Sequence, residues 1–245
     1  MDSNNNNSIF ESSKTWALGS YNEIAIFLLP VSAHLVRICQ VSQYDNVLDV
    51  ACGTGNTAIT ARRLGGAKVT GIDITPELLS QAKAEASLTG INDIQWNEGD
   101  VEHLPYQDET FDVVLSSFGH IFAPHPQTAM HEMLRVTKKG GRIAFSTWPP
   151  EHANGRVFRV MEKHLSQPGL EPNPYHSPET FLLNPDPADP SSSNTIPPSP
   201  IQWGIPSTIE KRLGNQVKDI YFERGVILKP MLSPNHYWDI SSKKA

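Results

Sequence analysis

Three aspartates and two glycines carry the first chemical information in this chain of 245 residues. Val47-Leu-Asp-Val-Ala51 is a short apolar run bearing one acid, Asp49, and it leads through Cys52 to Gly53-Thr-Gly55, where the backbone must turn sharply into a helix. Glycine lets a backbone approach a ligand with no Cβ in the way. A second apolar run, Val69 to Ile72, ends at Asp73, roughly 20 residues after the glycines, the offset at which an acid reaches ribose hydroxyls. Asp100 follows a third run and is placed to accept from an exocyclic amine such as that of adenine. Carboxylates form strong charge-assisted hydrogen bonds with cations, so three of them at successive strand ends suit a nucleoside with a positively charged tail and no phosphate. The fourth run, Phe111 to Gly119, brings small polar residues, Ser116 among them, beside the glycine turn.

The elements that must position these residues follow from the pattern. Strands are expected over 47–51, 68–72, 93–98, 111–116 and 141–147, with helices over 56–65, 76–89 and 125–137, an alternation that predicts an α/β, doubly wound, mostly parallel sheet. Pro76 fits the first turn of a helix capped by Thr75, and Gly90 closes it. Residues 1–13 read as a disordered tail, 14–45 as a helical lid, 46–150 as the ligand-binding core, and 151–245 as a region covering whatever second substrate is used. Thirteen of the twenty prolines fall between Pro149 and Pro206, so 184–200 is expected to be a flexible Pro/Ser-rich insertion. Helices are expected at 154–165 and 206–213, and one or two edge strands at 217–228.

Composition narrows the partners. The net charge is -6, with 16 acids against 10 Lys plus Arg in residues 1–150, which disfavours a nucleic-acid partner. The apolar stretch from Ile24 to Ile38 is interrupted by Pro30, His34 and Arg37 and is too short to span a bilayer. Two cysteines, Cys39 and Cys52, fit a reduced cytoplasmic protein. No metal site is expected, since the cysteines and histidines lack paired ligand spacing, and Gly-x-x-x-x-Gly-Lys is absent. The glycine turn also fits a relaxed dinucleotide fingerprint, but no Tyr-x-x-x-Lys pair accompanies it. Asp73 has a structural alternative as a helix cap, and His131 and Met133 read simply as surface and core positions.

These ordered motifs resemble the class I S-adenosylmethionine-dependent methyltransferases, within the broad group similar to quinone and small-molecule methyltransferases, over roughly residues 14–165. The resemblance implies S-adenosyl-L-methionine as cofactor. It implies that Asp49, Ala51, Gly53 and Gly55 surround the methionine portion, Asp73 binds the ribose hydroxyls, and Ile74 packs on adenine. Asp100 and the backbone of Val101 would read the adenine edge, Ser116 would neighbour the ammonium, and Trp16, Gly19 and Tyr21 of the lid would lie near the sulfonium.

A sulfonium methyl is already activated, so alignment and exclusion of water supply most of the rate. A base is needed only if the acceptor loses a proton; Tyr21, His120 and His125 are candidates, and His120 is preferred because it follows the fourth strand tip. The tetrad of amine-modifying relatives is replaced by Ser116-Ser-Phe-Gly119, which points to carbon or oxygen of a small, partly apolar acceptor. Trp148, Phe158, Trp203 and Tyr221 are candidates for its apolar wall. Two other readings stand beside this one: a cofactor-binding regulatory or scaffold module without turnover, and a nucleic-acid methyltransferase. The chain end at Ala245 leaves open a pocket completed by a second copy in a homo-oligomer.

Overall fold

The computed structural model describes residues 21–157 and 200–228. Trp16, Gly19 and Phe158 lie outside them, as does nearly all of 184–200, and Tyr21 is described only as backbone at the start of a helix. A five-stranded sheet forms the centre, built from β1 (Asn46–Val50), β2 (Lys68–Asp73), β3 (Gln95–Glu98), β4 (Phe111–Ser117) and β5 (Thr137–Ser146). Its order is β3-β2-β1-β4-β5, and every pairing is parallel.

Alternate residues of each strand enter separate cores. Val47, Val69, Val113 and Leu115 pack with Ala58, Ala61 and Ala86, whereas Leu48, Val50, Ile72 and Val114 pack with Met133 and Val136. Both faces of the sheet are therefore covered, which is why these strands read as near-continuous apolar runs. The covering helices are α1 (Tyr21–Ile38), α2 (Asn56–Gly65), α3 (Pro76–Leu88) and α4 (Pro126–Val136). Helix α1 is tied to the first turn of α2 by Ser32 Oγ to Thr57 Oγ1 at 2.9 Å and by Asn56 Nδ2 donating to the Ala25 carbonyl at 2.7 Å.

Two expectations are corrected. Strand β5 begins at Thr137, directly where α4 stops, because Lys138 to Gly141 is accommodated as an irregularity: Phe111 pairs with Thr137 but Val113 pairs with Arg142. Gly140, at φ 77°, and Gly141 lie inside this strand. Residues 217–228 form no strand; a 3-10 turn (Pro200–Gly204), α5 (Pro206–Leu213) and a second turn (Gly214–Gln216) precede them, and they join no ladder of the sheet.

Candidate functional site

The strand order reverses between β1 and β4, since the chain leaves β1 toward β2 and β3 on one side and returns to β4 and β5 on the other. In open α/β sheets the crevice at the carboxyl ends of such a pair is where ligands bind. Here both strand tips carry strained backbone. Ala51, just past β1, has φ 51° and Phe118, just past β4, has φ 63°, both in the left-handed region that non-glycine residues rarely enter. Gly119 lets the tips meet, because a Cβ there would lie 2.5 Å from both the Ala51 carbonyl oxygen and its Cβ. A small cavity at this junction is lined by Leu28 and Ser32 of α1, Asp49, the 51–54 turn, Asn56 and Thr57, and Ser117.

Asp49 is 1% exposed. Its Oδ2 accepts the Ala58 N–H at 2.8 Å, but its Oδ1 is buried with no partner. Burial raises its pKa to about 8, with the Ala58 N–H lowering it and the Asp73 charge raising it further. A buried carboxyl with an orphaned oxygen at the glycine turn fits a cationic ligand, which would supply both the missing partner and the reason to ionise.

Asp73, also buried, bridges the turn: Oδ2 accepts Gly53 N–H at 2.7 Å and Oδ1 accepts Thr75 N–H at 2.9 Å. Burial raises its pKa, and those backbone donors pull it back. A carboxylate has about four acceptor positions, so this tie leaves lone pairs for ribose hydroxyls. Asp73 thus belongs to the glycine turn and is not a side-chain cap of α3, whose N-cap is Thr75. The turn tolerates no bulk: at Gly55, φ 83°, a Cβ would lie 2.7 Å from the Trp96 ring.

Asp100 and Val101 sit half-buried past β3, and Asp100 Oδ1 accepts the Glu102 N–H at 2.9 Å. Their loop is clamped by Arg135 of α4, which donates to the carbonyls of Leu104 and Tyr106 and to Glu132 and Asp108. Ile74 is half-buried between Asp73 and the start of α3.

Two expected site residues go elsewhere. Ser116 is fully buried; its Oγ donates to the Val50 carbonyl at 2.7 Å, which fills the interior between β1 and β4. Side chains alternate along a strand, so it is Ser117 that lines the cavity. His120, the preferred base, is 0% exposed among Phe145 and Trp203, with ring centroids 4.7 and 4.6 Å away. Burial and the Arg212 charge lower its pKa to about 3. Ser116 has given its one hydrogen to Val50, so His120 Nδ1, 3.0 Å from Ser116 Oγ, is the donor of that pair, and Nε2 is left as a buried lone pair without a partner. A base with that pKa and no exposed atom is poorly suited to taking a proton from a substrate.

Sequence reasoning underweighted His125 and Glu102. The Glu102 carboxylate accepts both the backbone N–H of His125 and, at 2.8 Å, its Nδ1, while the imidazole stays largely exposed. That hydrogen bond raises the His125 pKa, partly offset by burial. The Glu-to-His separation of 23 residues left no local signal of the pairing.

Beside the small cavity the carboxyl ends of β4 and β5 turn aromatic. Phe118 stacks on Trp148, ring centroids 4.0 Å apart and planes 12° apart. Phe118, Phe145, Trp148 and Trp203 border a broad open groove that runs along β5 beneath residues 216–228. Tyr221, a candidate for this wall, also borders the groove but is 89% exposed. Among the described residues no group of three or more His, Cys, Asp or Glu is arranged to hold a metal ion, and no helix is long and apolar enough to cross a membrane.

Comparison with known proteins bears on the same region. The sequence pattern of a family described as a methyltransferase domain matches residues 47–141. An uncharacterized protein of Mycobacterium tuberculosis is 33% identical over 213 residues, 86% of this chain and 68% of that protein. A second one is 41% identical over 150 residues, 61% of this chain. The chain spans only about half, 54%, of that second relative's length. A ubiquinone/menaquinone biosynthesis C-methyltransferase of Bdellovibrio bacteriovorus is 40% identical over 134 residues, covering 54% of this chain and 56% of the relative.

Proposed function

The chain belongs to the class I S-adenosylmethionine-dependent methyltransferases, whose cofactor is S-adenosyl-L-methionine, and on that premise we propose that it methylates carbon or oxygen of a small, partly apolar acceptor. The observation that carries the cofactor half is the orphaned Asp49 Oδ1 in the glycine turn, beside Asp73, at the point where the strand order reverses. Bound there, the cofactor supplies a methyl group on a positively charged sulfur. Asp49, Ala51, Gly53 and Gly55 would hold the methionine portion, Asp73 the ribose, and Asp100, Val101 and Ile74 the adenine, with Trp16 and Tyr21 as the candidates on the N-terminal side.

For the acceptor, the Phe118–Trp148 stack beside Ser117 supports an apolar, flat-walled surface, and the name of the Bdellovibrio relative associates that protein with methylation at carbon. The chain's own contribution is orientation and removal of water, which for an activated methyl accounts for most of the acceleration. Where the acceptor must lose a proton, His125, exposed and held by Glu102, is better suited than His120. A reducing cytoplasmic location, supported by two free buried thiols, belongs to the same reading. So does a homo-oligomer that closes the groove along β5.

Titration calorimetry with S-adenosylmethionine and S-adenosylhomocysteine tests the core of the proposal. Micromolar binding of both is expected, with Asp73→Ala weakening each by about 100-fold, since a buried carboxylate making several hydrogen bonds is lost. Absence of binding sinks the proposal. Transfer of labelled methyl to an extract component then separates turnover from binding alone, and label in purified RNA or DNA would redirect the acceptor assignment.

A further inference from the structure

Among the described residues, the groove along β5 has beside it a buried cation with no acid to neutralise it. Arg212, near the end of α5, is 5% exposed, and its guanidinium carbon lies 4.6 Å from the centre of the Trp203 ring. One nitrogen, Nη2, reaches the amide oxygen of Gln202 at 3.3 Å. Nε and Nη1 are buried without any hydrogen-bond partner. Burial lowers its pKa to about 10, and no carboxylate among the described residues acts on it. Buried charges in folded proteins are normally paired, and leaving one unpaired is costly even when an aromatic ring offers a partial substitute. The second orphan of the neighbourhood, His120 Nε2, touches the other side of the same cluster through Trp203.

Location gives this vacancy of charge a meaning. Trp203, Ile205, Pro206, Ile209 and Leu213, which flank Arg212 in sequence, all border the groove that also holds Phe118 and Trp148. The guanidinium is therefore one layer behind the groove wall, on the side assigned to the acceptor.

We propose that Arg212 is the receptor for a negatively charged group, a carboxylate or a phosphate, on the methyl acceptor, which enters from the groove past Trp203. This rests on the reading of the groove as the acceptor's side. It narrows the acceptor class to planar or apolar acids: the aromatic wall takes the body of the molecule and Arg212 takes its charge. The polarity of the arrangement is complementary across the site, with acids gathered around the cationic cofactor and an unpaired base kept for an anionic acceptor.

Benzoate and its uncharged counterpart benzamide separate charge recognition from apolar packing. Each is titrated into the protein loaded with S-adenosylhomocysteine, and into the cofactor-free protein, with binding followed by calorimetry. Benzoate is expected to bind about tenfold or more tightly than benzamide, as charge-assisted hydrogen bonds to a buried guanidinium require. Arg212→Met is expected to erase that ratio, leave S-adenosylhomocysteine affinity unchanged, and leave the ligand-free melting temperature unchanged or higher, because an apolar isostere relieves an unpaired charge. Equal binding of the two probes, binding of neither, or a benzoate preference that survives in Arg212→Met overturns the proposal. If Arg212→Met fails to fold, Arg212→Lys is read instead; it keeps the charge but not the planar fork, and should retain a reduced preference for benzoate. Inorganic phosphate added in competition with benzoate distinguishes a carboxylate site from a phosphate site. A benzoate preference without cofactor binding would remove the methyltransferase reading while leaving the anion site standing.

Discussion

The two halves of the crevice solve the same problem, holding polar groups out of water, in opposite ways. At the tips of β1 and β2 the polar groups are short and are tied to backbone: Asp73 to Gly53 and Thr75, Asp49 to Ala58. At the tips of β4 and β5 they are long side chains among rings, Arg212 on Trp203 and His120 between Phe145 and Trp203, and three of their nitrogens find no partner. A site built on backbone donors is nearly independent of distant sequence. One built on side chains from segments 80 or so residues apart can be retuned by changing any of them, as expected where one ligand is shared by a family and the other is not.

The comparison breaks most severely if the glycine turn accepts a side chain. Gly55→Ala is expected to destabilise the fold by about 3 kcal/mol, from left-handed strain together with collision against Trp96 and Ala82, and to abolish cofactor binding. Urea unfolding measures the first effect and calorimetry the second. Near-normal stability would show that the turn is less constrained than the acceptor side.

A smaller effect separates the halves by pH. Asp49 is held protonated near neutrality by burial, with a pKa of about 8, and a cationic ligand requires it ionised. Cofactor affinity should therefore rise up to about tenfold per pH unit from pH 6 and level off near pH 8, with protons released on binding; Asp49→Asn should bind weakly and without that slope. Stability has the opposite sign. A carboxyl whose folded pKa lies above its unfolded value favours the native state when protonated, so its contribution is lost as pH climbs from about 4 to about 8 and is constant beyond. Asp49→Asn should raise the melting temperature of the ligand-free protein at pH 8.

The mildest change concerns His120. Replacement by Asn, which can still donate to Ser116 from near the Nδ1 position, is expected to keep turnover within about threefold while costing about 1–2 kcal/mol of stability through lost ring packing. A loss of 100-fold or more in turnover at unchanged stability would return His120 to the chemistry.

Much of this division was legible in the chain. The runs that became β1, β2 and β4 are near-continuous apolar stretches leading to a turn or a polar tip, and each appears within about a residue of its expected bounds. Asp49, Gly53, Gly55 and Asp73 could be read because their partners lie nearby in sequence or across an adjacent strand. What could not be read was parity and distance. Whether Ser116 or Ser117 faces the crevice depends on where β4 stops alternating, and a one-residue difference reverses it. The burial of His120 depends on Trp203 and Arg212, more than 80 residues further along, which no local pattern announces. Residues 217–228 alternate as a strand does, yet alternation needs a partner to become one.

Gly119 bears on what can change here. It offers no chemical group, and its own backbone angles are ordinary, yet the space its side chain would take is already filled by Ala51 from the neighbouring strand tip. The two tips meet because an atom is missing. Drift at this position is closed off more firmly than at Ser117 or Trp148, which form the walls: those can be exchanged for other shapes as the acceptor changes, whereas any substitution at 119 pries apart β1 and β4 before a new acceptor is ever met.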